Sequence, residues 1–124
     1  MDISDEVFEK IIAEAMDTLP EHYLERAKNV AITWDYDPSP EQRAKQRLRP
    51  DQTLFGLYEG IPMTQRGGNY SMVLPDKITI FKNPIIRYAQ DLEAVKLQVK
   101  NTLWHEIAHH YGLDHDRIHQ IEDN

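Results

Sequence analysis

The chain is 124 residues long, 40% hydrophobic and 28% charged, which suits one compact domain spanning 1–124 and burying roughly two-thirds of its unfolded surface. It has no cysteine, so disulfides and thiolate zinc modules are excluded and any metal must be held by His, Asp or Glu. With 14 basic and 21 acidic side chains the net charge is -7, which repels a phosphate backbone, so no nucleic-acid partner is expected.

Acids stand near the N-terminus where a secretory signal carries basic residues, and no apolar run approaches the roughly 20 residues that span a bilayer. The expectation is a cytoplasmic protein without a membrane partner. Asp2 or Ser4 can cap a first helix, in which Val7, Phe8, Ile11, Ile12 and Ala15 recur at helical spacing until Pro20. A short second helix is expected from Pro20 to Ala27, with Tyr23 and Leu24 toward the core. Val30, Ile32 and Trp34 then alternate with Ala31, Thr33 and Asp35, the pattern of a half-buried strand.

Residues 36–52 hold Pro38, Pro40 and Pro50 and many charges, and read as a long surface loop. Its cations Arg43, Lys45, Arg47 and Arg49 read as a solvated face. LFGLYEG, residues 54–60, is apolar on both sides and reads as a second strand. A turn-rich stretch follows, then KITIFKN, a third strand with Ile78 and Ile80 alternating against Thr79 and Phe81. Asn83 and Pro84 start a helix with Ile85, Ile86 and Tyr88 as its apolar contribution. From about Asp91 the pattern is helical for over 20 residues, with Leu92, Val95, Val99, Leu103 and Ile107 forming a stripe that needs a sheet to cover. The fold class predicted is α+β, a small sheet packed on a long C-terminal helix.

Four of the six histidines fall in residues 105–115, HEIAHHYGLDH. On a helix His105 and His109 lie on one face about 6 Å apart along the axis, where two imidazoles can grip one ion. Glu106 sits near 100° round the helix from His105, beside such an ion without binding it. Gly112 permits the chain to turn off the helix, and His115 is then the natural third ligand by spacing. Three neutral imidazoles leave a fourth position for water, the layout of a catalytic Zn2+ site. Zinc lowers the pKa of water to about 7, and Glu106 can take its proton. The expected reaction is hydrolysis of a peptide bond.

Among the neighbours, His110 points away from His109 and reads as a surface or supporting residue, as does His119. Asp114 and Asp116 could orient an imidazole or cap a turn. Trp104 reads as core. Tyr58, Arg66 and Tyr70 are candidates only because they border the turn-rich segment.

HEIAHHYGLDHDRI, with LFGLYEGIPMTQRG and PDKITIFKNPIIR upstream, resembles the small bacterial zincin-like metallopeptidase family over roughly residues 5 to 122. The resemblance implies a minimal zincin domain, a small twisted sheet above an active-site helix, with His105 and His109 as zinc ligands, Glu106 as general base and a peptide or protein as substrate. The family often has an acid where this chain has His115, which leaves His115, Asp114 and Asp116 open as the third ligand. The longer metzincin pattern HExxHxxGxxH also matches, but the nine residues after His115 contain no methionine for that group's Met turn. A substrate-gripping lower subdomain does not fit in this length, so the cleft is expected to be shallow, or completed by a partner or by the 36–52 segment. Two other readings keep the same ligands: a metal-binding adaptor without hydrolytic activity, and a metal-dependent endoribonuclease with H-x3-H-x2-G-x-D-H. Against the latter stand Glu106, where those enzymes have glycine, and the net charge.

Overall fold

The computed structural model describes residues 2–21, 30–60 and 76–110, without the side chains of 109 and 110. Helix α1 (Asp5–Asp17) starts where Ser4 accepts the Val7 N–H on its hydroxyl at 3.2 Å, and Asp5 and Glu6 set negative charge against the positive end of the helix dipole. Phe8, Ile11, Ile12 and Ala15 are its buried face, while Val7, expected on that face, is 44% exposed. The helix stops at Asp17, short of Pro20, because the Thr18 hydroxyl and N–H both turn back to the Ala15 carbonyl. The expected helix from Pro20 to Ala27 lies almost wholly outside the described residues.

Strand β1 (Val30–Asp35) alternates as the sequence predicts, with Val30, Ile32 and Trp34 turned inward. The next segment corrects an expectation: part of 36–52 is a helix, α2 (Pro40–Lys45). Ser39 accepts the Gln42 N–H and the Gln42 side chain accepts the Ser39 N–H, a reciprocal cap with Pro40 in the first turn. The helix buries none of its own residues, so hydrophobic periodicity could not reveal it.

Strands β2 (Gly56–Glu59) and β3 (Asp76–Phe81) complete a three-stranded sheet of order β1-β3-β2 among the described residues. β3 pairs parallel with β1, Ile78 opposite Ile32 and Ile80 opposite Trp34, and antiparallel with β2, Ile78 opposite Tyr58 and Ile80 opposite Gly56. These registers put Ile32, Trp34, Ile78, Ile80, Gly56 and Tyr58 on one face. Being central, β3 is buried on both faces, Thr79 and Phe81 along with Ile78 and Ile80.

Helix α3 (Lys82–Tyr88) follows without a break and buries Pro84 and Ile85, but Tyr88 is 66% exposed, its ring lying against Phe55. Helix α4 (Leu92–His110) packs on α1, β2 and β3. One core joins them, built on Phe8, Ile12, Ile78, Ile80, Ile85, Val95, Val99, Leu103 and Ile107. Among the described residues no helix is long and apolar enough to cross a membrane.

Candidate functional site

Asp91 starts α4 by accepting the Ala94 N–H on its side chain at 2.8 Å and the Val95 N–H on its carbonyl at 3.1 Å. From that fixed start, Val95, Val99, Leu103 and Ile107 recur at helical spacing and bury against the sheet. Leu92, the first residue of the helix, is 41% exposed. The same helical period fixes what comes after Leu103. Trp104, His105 and Glu106 are each half-buried, Trp104 packing on the core as expected, and Ile107 and Ala108 are buried.

The Glu106 side chain reaches the sheet, where Oε2 accepts the backbone N–H of Tyr58 at 2.9 Å across 48 residues of sequence. The antiparallel ladder explains why that N–H is available. The Phe81 N–H donates to the Phe55 carbonyl, so the mutually bonded pairs are Phe55 with Phe81, Leu57 with Thr79 and Glu59 with Lys77. Gly56 and Tyr58 fall between them and turn their N–H groups away from β3, and that of Tyr58 meets α4. The backbone donor holds the carboxylate in one orientation.

The Tyr58 ring lies on the same face of the sheet, and its hydroxyl donates to Asp76, its diagonal neighbour at the start of β3. On the opposite face, Glu59 accepts a hydrogen bond from the Gln42 side chain at 2.8 Å, which ties α2 to the same strand. The segment expected as a solvated loop is therefore anchored beside the site; its cations Lys45, Arg47 and Arg49 are exposed as expected, whereas Arg43 is half-buried and donates to the Arg49 carbonyl at 2.8 Å.

Of the residues singled out by sequence, the structure brings together Glu106 and Tyr58, leaves His105 half-buried next to Glu106 in the chain, and puts His109 one helical turn beyond His105 on the backbone of α4. Gly112, Asp114, His115, Asp116, His119, Arg66 and Tyr70 lie outside the described residues, as do the side chains of His109 and His110. Among the described residues no three ligating side chains converge. Asp76 was not singled out; a lone acid at the start of a strand carries no sequence signal. Tyr58 was weighted only by its position, because a contact across 48 residues leaves no local pattern.

A mixed sheet crossed by a helix that carries HExxH, with the Glu turned to the outer strand, defines a zincin-like domain. The sequence profile of the zincin-like metallopeptidases matches residues 27–124, and the chain belongs to that family. No curated protein matches it significantly. Among solved structures it is similar to a conserved hypothetical protein from Thermo thermophilus, with 17% identity over 88% of this chain and 94% of that one and a TM-score of 0.59, a likeness of fold. Zincin-like families bind zinc in general, and the donor chemistry here fits: with no cysteine in the chain, imidazoles four apart on one rigid helix suit zinc and reject magnesium or calcium.

Proposed function

We propose that the protein is a zinc-dependent peptidase that hydrolyses peptide bonds with Glu106 as general base. The observation that supports it best is the hydrogen bond from the Tyr58 N–H to Glu106. It presents a carboxylate at the rim of the sheet, one residue from His105, in a fixed and half-buried position.

His105, His109 and His115 would hold the ion, Asp114 or Asp116 being the alternative third donor. Zinc there supplies a Lewis acid that polarises the scissile carbonyl and acidifies water. Glu106 takes the proton of the attacking water as its oxygen bonds to the carbonyl carbon, and hands that proton to the amine nitrogen as the C–N bond breaks. Tyr58, through its backbone, keeps the carboxylate from rotating away between the two transfers. The substrate is an extended peptide or an unstructured protein segment, since a domain of this size offers a shallow cleft that a partner could complete.

The test is zinc analysis of protein purified without a metal-binding tag, followed by digestion of a peptide pool by wild type and Glu106→Gln, with and without chelator. The expected result is one zinc in both proteins and a fall in turnover of ~10²-fold or more in the variant. Cleavage of RNA instead of peptide would make the protein an endoribonuclease. Absence of any turnover, with the variant indistinguishable in binding, would leave a metal-binding adaptor.

A further inference from the structure

Glycine inside a strand weakens it, so a strand glycine calls for a reason. Gly56 has one. Its φ lies in the range open to every residue, so it is needed for space and not for backbone conformation. A Cβ placed on it would lie 2.5 Å from the Thr102 Cγ2, 3.2 Å from the Thr79 carbonyl oxygen and 3.4 Å from the Ile80 Cδ1. Carbon atoms in contact stand about 3.5–4.0 Å apart, so the first approach requires something to move. Thr102 has little freedom to do so: it is 6% exposed on α4 and its hydroxyl accepts a hydrogen bond from the Gln98 amide at 3.0 Å.

A second contact between the same two elements is the Tyr58 N–H on Glu106. Gly56 and Tyr58 are two residues apart on a strand, about 6.8 Å, and Thr102 and Glu106 are four apart on a helix, about 6.0 Å. The two spacings nearly agree, so these two contacts fall in register. The first meeting sets how closely the helix approaches, and the second places the carboxylate.

We infer that the Gly56–Thr102 contact is the spacer that positions Glu106. It is a positioning pair acting through the strand-to-helix distance, touching neither substrate nor metal, and it rests on the reading of Glu106 as the base. Adding a methyl at Gly56 pushes α4 off β2 and stretches the Tyr58–Glu106 hydrogen bond. Removing the Thr102 methyl gives the space back.

The experiment compares wild type, Gly56→Ala, Thr102→Ser and the double variant, all as full chains. It measures thermal stability, zinc content, hydrogen exchange of the Tyr58 amide, and kcat and KM on the peptide pool. Gly56→Ala is expected to keep its zinc and its KM, to exchange the Tyr58 amide about tenfold faster, and to lose kcat by roughly 10- to 100-fold. Thr102→Ser removes the contacting methyl and should cost a smaller loss of exchange protection and kcat, about threefold, and the double variant should recover both to within about threefold of wild type. If Gly56→Ala does not fold, recovery of folding and Tyr58 protection in the double variant carries the same meaning. Unchanged Tyr58 exchange in a folded Gly56→Ala protein, or a double variant no better than Gly56→Ala, overturns the inference. Amide exchange needs no substrate, so a wild type without turnover removes the peptidase reading while the spacer is still decided.

Discussion

At the β1 side of the sheet, α1 is fastened by bulk and charge; at the β2 side, α4 is fastened by a glycine and a backbone N–H. On the first side the Phe8, Trp34 and Tyr36 rings stack edge to face, with centroids 5.6 and 5.2 Å apart. The buried Lys82 ammonium lies 5.9 and 5.8 Å from the Trp34 and Tyr36 rings and 2.8 Å from Asp5, which also accepts the Tyr36 hydroxyl. Lys82 and then Tyr36 hold the Asp5 carboxyl below its usual range, and Asp5 in turn raises the Tyr36 phenol. On the second side α4 buries Val95, Val99, Leu103 and Ile107 in the core, and its place against β2 is set by Gly56 against Thr102 and Tyr58 N–H against Glu106. Rings and long side chains repack when a neighbour changes, so the first arrangement secures stability without demanding one geometry. A backbone donor has no rotamer to change, which suits the side where a carboxylate must stand in one place.

Substitutions sharpen this contrast, beginning with the largest effect. His109→Ala should lose both zinc and activity, and His115→Ala should match it, whereas His110→Ala keeps most of both; zinc analysis and peptide turnover decide. If Asp116→Ala empties the site and His115→Ala does not, the third ligand is the acid. Zinc affinity should fall as the medium drops through about pH 6 to 5, where protons compete for imidazole nitrogens, and a flat profile would mean that carboxylates dominate. The histidine substitutions should leave the melting of the zinc-free protein nearly unchanged.

Next in size is Leu103→Ala, which empties a fully buried position on the core face of α4 and should cost about 3 kcal/mol in denaturant unfolding. The smallest effect belongs to the β1 side. Lys82→Met should lower the melting temperature modestly at neutral pH and leave zinc and turnover intact. The Asp5 pKa is depressed in the folded state, so the stability it contributes is present above its ordinary value of 3.8 and is lost as pH falls below that. The gap between wild type and Lys82→Met should therefore narrow below about pH 3.8. A turnover defect in Lys82→Met would break the division of labour between the two sides.

The sequence carried α4 because its pattern is local: the stripe from Val95 to Ile107 and the HExxH spacing follow one helical period. Strands β1 and β3 were legible from alternation, although burial of Thr79 and Phe81 needed the sheet order. Val7, Tyr88 and Leu92 sit on the predicted stripes yet are exposed, because stripes lose their cover near helix ends. Helix α2 had a local signal, Ser39 followed three residues later by Gln42, outweighed by three prolines and the lack of an apolar face. Nothing local announces the partnership of Tyr58 with Glu106 or of Gly56 with Thr102, since both join segments more than 40 residues apart.

The parallel pairing of β1 with β3 has a consequence in time. Residues 36–75 separate the two strands, and closing a connection of 40 residues costs about 2 kcal/mol more than closing one of four. β2 and β3, separated by 16 residues, can pair first. β1 must wait, and α4 finds its full bed only when β2, β3 and α1 are together. The elements α4 rests on do not include the late strand, so the Tyr58–Glu106 hydrogen bond need not wait for the slowest pairing of the sheet.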